Sequence, residues 1–152
     1  MTWFQCLVAA MLLSAGPQLG AAALVSFEAA TRPVTPVEAA DGAPSDYVIY
    51  QFFTTTDADI LSVNQARTEL SAGAEIYIHP SAFGRYPPFT AFLPFFPGIS
   101  ASSWVNTPGS TSRLGPDLPG DGIDTTFGDL SNNGPQSHFQ FAQMTIPPNA
   151  TG

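Results

Sequence analysis

Apolar and polar side chains change over short distances along this chain, and no helical periodicity lasts more than two turns. Residues 47–53 carry β-branched and aromatic side chains on both strand faces, which is typical of a central strand covered on each side. Residues 60–66 alternate, with Leu61 and Val63 on one face. The turn-forming stretch 54–59 separates the two runs, so the pattern predicts that they pair as an antiparallel hairpin.

Several other short stretches also carry a strand pattern, and proline and glycine separate them. They are residues 24–30, 75–79, 102–106 and 138–146. Within the segment rich in aromatic residues and proline, only residues 89–93 have a spacing that closes a helical turn, and residues 114–123 are too rich in Gly, Pro and Asp to be regular. The pattern predicts an all-β fold, an antiparallel β-sandwich with long Pro/Gly-rich loops and at most one short helix.

The last predicted strand changes its apolar face part-way along. Phe139 and Phe141 define one face, whereas Ala142, Met144 and Ile146 define the other. A β-bulge near Phe141 and Ala142 would bring both sets onto the core, because one inserted residue reverses the parity of the side chains that follow.

The N-terminal stretch has the pattern of a secretory signal. Residues 7–13 are apolar but too short to span a bilayer, and the small side chains of residues 21–23 suit a signal peptidase. We therefore expect residues 1–23 to be a signal peptide, residues 24–45 an extended N-terminal segment or first strand, and residues 46–152 the β-sandwich domain. The expected location is secreted, and export would remove Cys6, the only cysteine.

Composition excludes several classes of partner. Four arginines, no lysine and twelve carboxylates give a formal charge of −8, which disfavours binding to nucleic acid or anionic lipid. No stretch of the mature chain is predicted to span a membrane. The aromatic content of 12% is too high for a disordered chain, so we expect a folded domain.

The segment rich in aromatic residues and proline is the most distinctive part of the sequence. If Tyr86, Phe89 and Trp104 face solvent, they are candidate ligand-binding residues for an extracellular glycan or a surface protein, because proline limits the entropy lost on binding. If the segment faces inward, it closes one end of the sandwich. Apolar side chains are buried by default, which favours the inward alternative and predicts that Phe89, Phe92 and Phe96 are buried.

Two acidic stretches are candidate Ca²⁺ sites, because hard cations bind carboxylate and carbonyl oxygens on loops. One contains Asp57 and Asp59, and the other contains Asp121 and Asp124. The favoured alternatives are an ordinary turn for the first pair and a solvated loop for the second. No other cofactor is predicted.

The two histidines, His79 and His138, have no motif partners. The sequence contains no Gly-x-Ser-x-Gly, no His-Glu-x-x-His and no His-x-His. We therefore expect surface or edge histidines, no catalytic residue and no enzyme activity.

Three parts of the chain resemble a group of secreted bacterial proteins of unknown function, many of which end in a PEP-CTERM sorting tail. The matching features are the turn of residues 57–59 between two strands, the stretch 103–109 after an aromatic and proline segment, and the closing strand 139–146. The resemblance implies a secreted β-sandwich and no particular chemistry. Residues 147–152 carry no Pro-Glu-Pro signal, which leaves two alternatives open: an unanchored protein or a C-terminally truncated one.

The sequence as a whole predicts a secreted, acidic, non-enzymatic domain with a structural or surface-interaction role. The alternative is a secreted carbohydrate-binding or carbohydrate-active module that uses exposed aromatic side chains. The oligomeric state is left open.

Overall fold

The structure, a computed structural model, describes residues 24–58, 62–71, 74–81, 87–108, 122–128 and 133–150. The predicted signal peptide lies outside these residues. The described elements, in chain order, are β1 (Leu24–Pro33), α1 (Pro36–Ala40), β2 (Val48–Thr56), β3 (Ser62–Glu69), a 3₁₀ helix (Pro97–Ala101), β4 (Trp104–Val105), β5 (Gly122–Gly128) and β6 (Phe139–Ile146).

Most of the regular structure is an antiparallel sheet of four strands in the order β1-β2-β6-β4. Strands β3 and β5 form a separate antiparallel pair. The prediction of a fold made mostly of antiparallel strands with little helix is confirmed. Strand β2 is central, as its apolar character on both faces predicts.

The predicted hairpin between residues 47–53 and 60–66 is wrong. Strand β2 pairs with β1 and β6, whereas β3 pairs with β5. Residues 54–56 are three β-branched threonines, and they extend β2 instead of turning the chain. Strand β5 includes Gly122 and Ile123, where the sequence indicated irregular structure, because pairing with β3 outweighs the weak local propensity of Gly.

Helix α1 lies within the stretch expected to be extended. The Thr35 side chain accepts a hydrogen bond from the Glu38 backbone N–H, and the Glu38 carboxylate accepts one from the Thr35 backbone N–H. Pro36 occupies the first helical position. The helical turn expected at residues 89–93 is instead a series of turns over residues 90–95. The proline at position 94 interrupts helical hydrogen bonding there.

The predicted bulge in β6 is confirmed. Phe52 pairs with Ala142 and Phe53 with Gln140, so Phe141 is the extra residue. As expected from the change of parity, side chains from both halves of the strand reach one apolar cluster, with Phe139 packed at its margin. The buried members of the cluster are Ala74, Ile76, Val105, Phe141, Ala142, Met144, Ile146 and Ala150.

A second apolar cluster contains Ile49 of β2, which is fully buried. It packs against Val34, Ala43 and Ala101, at the two ends of α1 and the end of the 3₁₀ helix. Because successive side chains of a strand point to opposite faces, Ile49 and its neighbour Tyr50 contribute to different clusters. Strand β2 therefore separates two packed layers, and α1 with the 3₁₀ helix covers one of them.

Within the part of the chain that the structure describes, no helix has the length and apolar character needed to cross a membrane.

Candidate functional site

Strand β6 anchors the segment that contains the 3₁₀ helix through buried polar side chains. The Gln143 amide nitrogen donates to the carbonyl oxygens of Ser100 and Ser102, both at 2.8 Å. The Thr145 hydroxyl donates to the carbonyl of Ala101. Gln143 is 2% exposed and Thr145 is fully buried, so water does not compete for these bonds. These buried hydrogen bonds attach the segment to the sheet.

A bidentate ion pair ties this segment to β1 and α1. Arg32 Nη1 and Nη2 donate to the two Glu38 carboxylate oxygens at 2.9 and 2.7 Å. Arg32 Nη2 also donates to the Ser100 carbonyl at 3.1 Å. The forked guanidinium matches the planar carboxylate, which makes this arrangement stronger than a single charged contact.

The Glu38 carboxylate is almost fully buried and accepts several further hydrogen bonds. The Thr35 backbone N–H donates at 2.7 Å, the Thr35 hydroxyl at 2.8 Å, and the Ser100 hydroxyl also donates. Burial favours the neutral acid and raises the pKa of Glu38, but the donors Arg32, Ser100 and Thr35 together outweigh burial and lower that pKa to about 2. Glu38 is therefore an ionised residue in the protein interior.

The Glu38 carboxylate makes the free energy of unfolding depend on pH in the acid range. Its pKa is lower in the folded protein than the ordinary value of 4.5, so its contribution is fully present above pH 4.5 and disappears as the pH falls towards 2. The shift corresponds to about 3 kcal/mol at most, and the partly solvated guanidinium reduces our expectation to about 2 kcal/mol. Urea unfolding between pH 6 and pH 2 measures this loss.

Glu38→Gln is expected to flatten the pH dependence of the urea midpoint in this window. Glu28→Gln is the matched control, because the Glu28 side chain is 57% exposed. An equally steep acid loss in Glu38→Gln would show that other carboxylates cause it.

Next to this ion pair lies a second polar group, formed by Asp41, His79 and Ser81. Asp41 is the C-terminal cap of α1, and its Oδ2 accepts the Gly98 backbone N–H at 2.8 Å. His79 Nε2 is 3.3 Å from the same oxygen, although the N–H is not aligned as a hydrogen bond. His79 Nδ1 is 2.9 Å from Ser81 Oγ and accepts the Ser81 backbone N–H at 3.2 Å. A buried imidazole therefore lies between a carboxylate and a hydroxyl.

The surroundings of His79 are closely packed. A Cβ atom on Gly98 would lie 2.8 Å from the Asp41 carbonyl oxygen and 3.0 Å from His79 Cδ2, so only glycine fits. The Tyr77 ring meets His79 edge-on at 6.5 Å. Burial, together with the charges of Asp41 and Glu38, raises the pKa of Tyr77 to about 12. Tyr77 is therefore neutral at physiological pH.

The aromatic segment beside this cluster exposes apolar rings. Phe89, Phe95 and Phe96 are 51%, 73% and 41% exposed. The Phe96 ring meets His79 edge-on at 6.4 Å. The inward alternative for the segment is therefore wrong at Phe89 and Phe96, whereas Phe92 is half-buried.

The three predicted ligand-binding residues are not together on the described surface. Trp104 is 4% exposed and lies in β4, paired with Gln143 of β6, so neither face of its ring is open for stacking. Phe89 is exposed, and Tyr86 lies outside the described residues.

The candidate Ca²⁺ pairs are only partly described. Asp57 is exposed on the bend after β2, whereas Asp59 and Asp121 lie outside the described residues. Asp124 lies within β5 opposite Arg67 and not in a loop. Among the described residues, no group of three or more His, Cys, Asp or Glu side chains could hold a metal ion. Calcium binding by either pair stays a prediction.

The two histidines occupy different environments. His138 is exposed, stacks on Phe53 at 4.2 Å and has its Nδ1 3.5 Å from a Glu28 carboxylate oxygen. The expectation of a surface or edge residue holds for His138 but is wrong for His79, which is 4% exposed. Sequence reasoning missed Asp41 and Glu38. The sequence signal that could have found Glu38 is its position three residues after Thr35, which is the spacing of a helix capping box.

Comparison of the chain with protein-family models, with curated proteins and with solved structures gives no match.

Proposed function

We propose that this chain is an exported, acidic domain with a structural or surface-interaction role, and that its aromatic segment, residues 87–96, is the contact surface. The observation that carries the proposal is the exposure of Phe89, Phe95 and Phe96 within one short segment. Phenylalanine has no polar atom to hydrate, so exposing three of these rings costs free energy unless a partner covers them.

The attachment of the segment supports this proposal. Its C-terminal end continues into the 3₁₀ helix, where Arg32 and Gln143 bind the Ser100 carbonyl and Asp41 binds the Gly98 N–H. A surface that is already held in place loses little conformational entropy when it binds. The partner that we propose is a surface protein with exposed apolar side chains.

The finer architecture and the location are parts of the same proposal. A two-stranded sheet is marginally stable alone, so we propose that β3 and β5 pack on the four-stranded sheet as the second layer of a sandwich.

The signal-peptide pattern of residues 1–23 supports the proposed export. Intact-mass measurement of protein collected from the culture medium is expected to show a chain that begins near Leu24.

The contact surface is tested with the triple variant Phe89→Ser, Phe95→Ser and Phe96→Ser. On an array of apolar peptides, we expect the wild-type domain to bind and the triple variant to bind at least tenfold more weakly, which is about 1.4 kcal/mol. The matched control replaces Val25 and Val37, which are 62% and 63% exposed, with serine. Equal binding by the wild type and the triple variant would contradict the proposal.

A carbohydrate-binding module is the second candidate, because exposed aromatic rings also stack on sugars. Phe89 supports this candidate, whereas the burial of Trp104 removes the side chain best suited to it. A glycan array separates the two functions. Binding to a glycan that the triple variant loses would favour the carbohydrate-binding module over the protein contact.

A further inference from the structure

We propose that Ser81, His79 and Asp41 form a nucleophile, general base and positioning carboxylate that can cleave small, uncharged carboxylic esters. This inference goes beyond the proposed contact function and does not depend on it. It rests on two distances: Ser81 Oγ is 2.9 Å from His79 Nδ1, and His79 Nε2 is 3.3 Å from Asp41 Oδ2. A hydroxyl, an imidazole and a carboxylate in this order are the groups required for nucleophilic acyl transfer.

The hydrogen bonds of His79 assign its tautomer. The Ser81 backbone N–H donates to Nδ1 at 3.2 Å, so Nδ1 carries the lone pair and Nε2 carries the proton. The basic nitrogen is therefore the one beside the Ser81 hydroxyl, and the N–H side of the ring faces Asp41. The Ser81 N–H and hydroxyl share one lone pair, which limits how strongly the hydroxyl is activated.

The environment of the ring suits a base that becomes transiently charged. His79 is 4% exposed, and Asp41 is held in position by the Gly98 N–H. Among the described residues, the nearby charges of Arg32 and Glu38 form a bidentate ion pair with each other. An imidazolium formed during the reaction would therefore interact mainly with the Asp41 carboxylate, at low local dielectric.

The chemical step needs only the ester and water. Ser81 Oγ attacks the ester carbonyl carbon and its proton passes to His79 Nδ1. The carbon–oxygen bond to the alcohol then breaks, and the alcohol leaves with that proton. Water attacks the resulting acyl-serine, gives a proton to Nδ1, and the serine oxygen recovers a proton as the carboxylic acid is released.

Two features define the class of ester. The Phe96 ring lies against His79 and is 41% exposed, so it offers an apolar surface to the acyl chain. The Asp41 carboxylate beside His79 disfavours an anionic substrate. We therefore choose p-nitrophenyl butyrate as the probe.

The first test compares hydrolysis of p-nitrophenyl butyrate by the wild type and by Ser81→Ala. We expect kcat to fall by about 100-fold or more, because the variant lacks the nucleophile and keeps only the contributions of binding and orientation. Ser45→Ala is the matched control, since Ser45 is exposed and immediately follows a proline, as Ser81 does. A fluorophosphonate probe with mass spectrometry is expected to label Ser81 in the wild type. Unchanged hydrolysis in Ser81→Ala, or no label on Ser81, would overturn the proposal.

The second test separates the positioning role of Asp41 from a structural one. Asp41→Asn keeps an oxygen that can accept the Gly98 N–H but removes the negative charge. We expect kcat to fall with KM and the circular dichroism spectrum unchanged, and the rate of Ser81 labelling to fall in parallel. An unchanged kcat would show that Asp41 does not act with Ser81 and His79.

Ser81→Ala is expected to keep its binding to apolar peptides. A failure of the esterase proposal is therefore distinguishable from a failure of the proposed contact function.

Discussion

Ile49→Ala is expected to lower the free energy of unfolding by about 4 kcal/mol, within the range for truncating a buried isoleucine. Ile49 is fully buried in β2 and packs with Val34, Ala43 and Ala101. Truncation removes apolar contacts and leaves a cavity beneath α1 and the 3₁₀ helix, because both are attached elsewhere and cannot easily move inward. Urea unfolding monitored by circular dichroism measures the loss.

The matched control for Ile49→Ala is Val25→Ala, at an apolar side chain of β1 that is 62% exposed. A surface truncation of this kind should change stability by less than about 0.5 kcal/mol. If Ile49→Ala cost no more than Val25→Ala, the layer formed by α1 and the 3₁₀ helix would not be packed on the sheet as described.

Features of the fold that depend on side-chain parity could be predicted from the sequence. The bulge at Phe141 follows from the change of face between Phe141 and Ala142. The central position of β2 follows from its apolar side chains on both faces. Strict alternation in a strand makes both inferences local, so neither needs knowledge of distant residues.

Strand pairing could not be predicted in the same way. The sequence places residues 60–66 soon after β2, and proximity favoured a hairpin, yet β2 pairs with β1 and β6. Pairing depends on which strands bury the most apolar surface together, a property of the whole fold. For the same reason, the pairing of β5 with β3 is not visible in the glycines and aspartate of β5.

The polar group formed by Asp41, His79 and Ser81 could not be predicted from the sequence either. The contact of Asp41 with His79 exists because α1 packs against the 3₁₀ helix, which brings the end of α1 next to Gly98. Motif searches detect catalytic or metal-binding groups that occur at fixed spacings in the sequence. Asp41, His79 and Ser81 match no such motif. Ser81 lies two residues after His79, but that spacing alone does not place its hydroxyl on the imidazole.

Arg32→Leu is expected to destabilise the protein by about 3 kcal/mol, at the lower end of the range for breaking a buried ion pair because the Arg32 side chain is 31% exposed. The variant leaves the Glu38 carboxylate buried with only the uncharged donors of Thr35 and Ser100. It also removes a donor from the Ser100 carbonyl. The pKa of Glu38 should then rise, which would shift the acid loss of stability to higher pH.

The double variant Arg32→Leu with Glu38→Leu distinguishes two causes of the destabilisation by Arg32→Leu. One is the Glu38 charge that is left buried without a cation, and the other is the loss of the contacts made by the Arg32 side chain. Replacing both partners with apolar groups removes the buried charge, so we expect the double variant to be more stable than Arg32→Leu alone. It should still be about 1 kcal/mol less stable than the wild type, because the Glu38 carboxylate no longer accepts hydrogen bonds from the Thr35 backbone N–H and hydroxyl. Urea unfolding of the wild type, both single variants and the double variant gives the coupling energy. A coupling energy between Arg32 and Glu38 below about 0.5 kcal/mol would show that this ion pair acts as an ordinary solvated surface contact. The 3₁₀ helix would then be held to the sheet chiefly by Gln143 and Thr145.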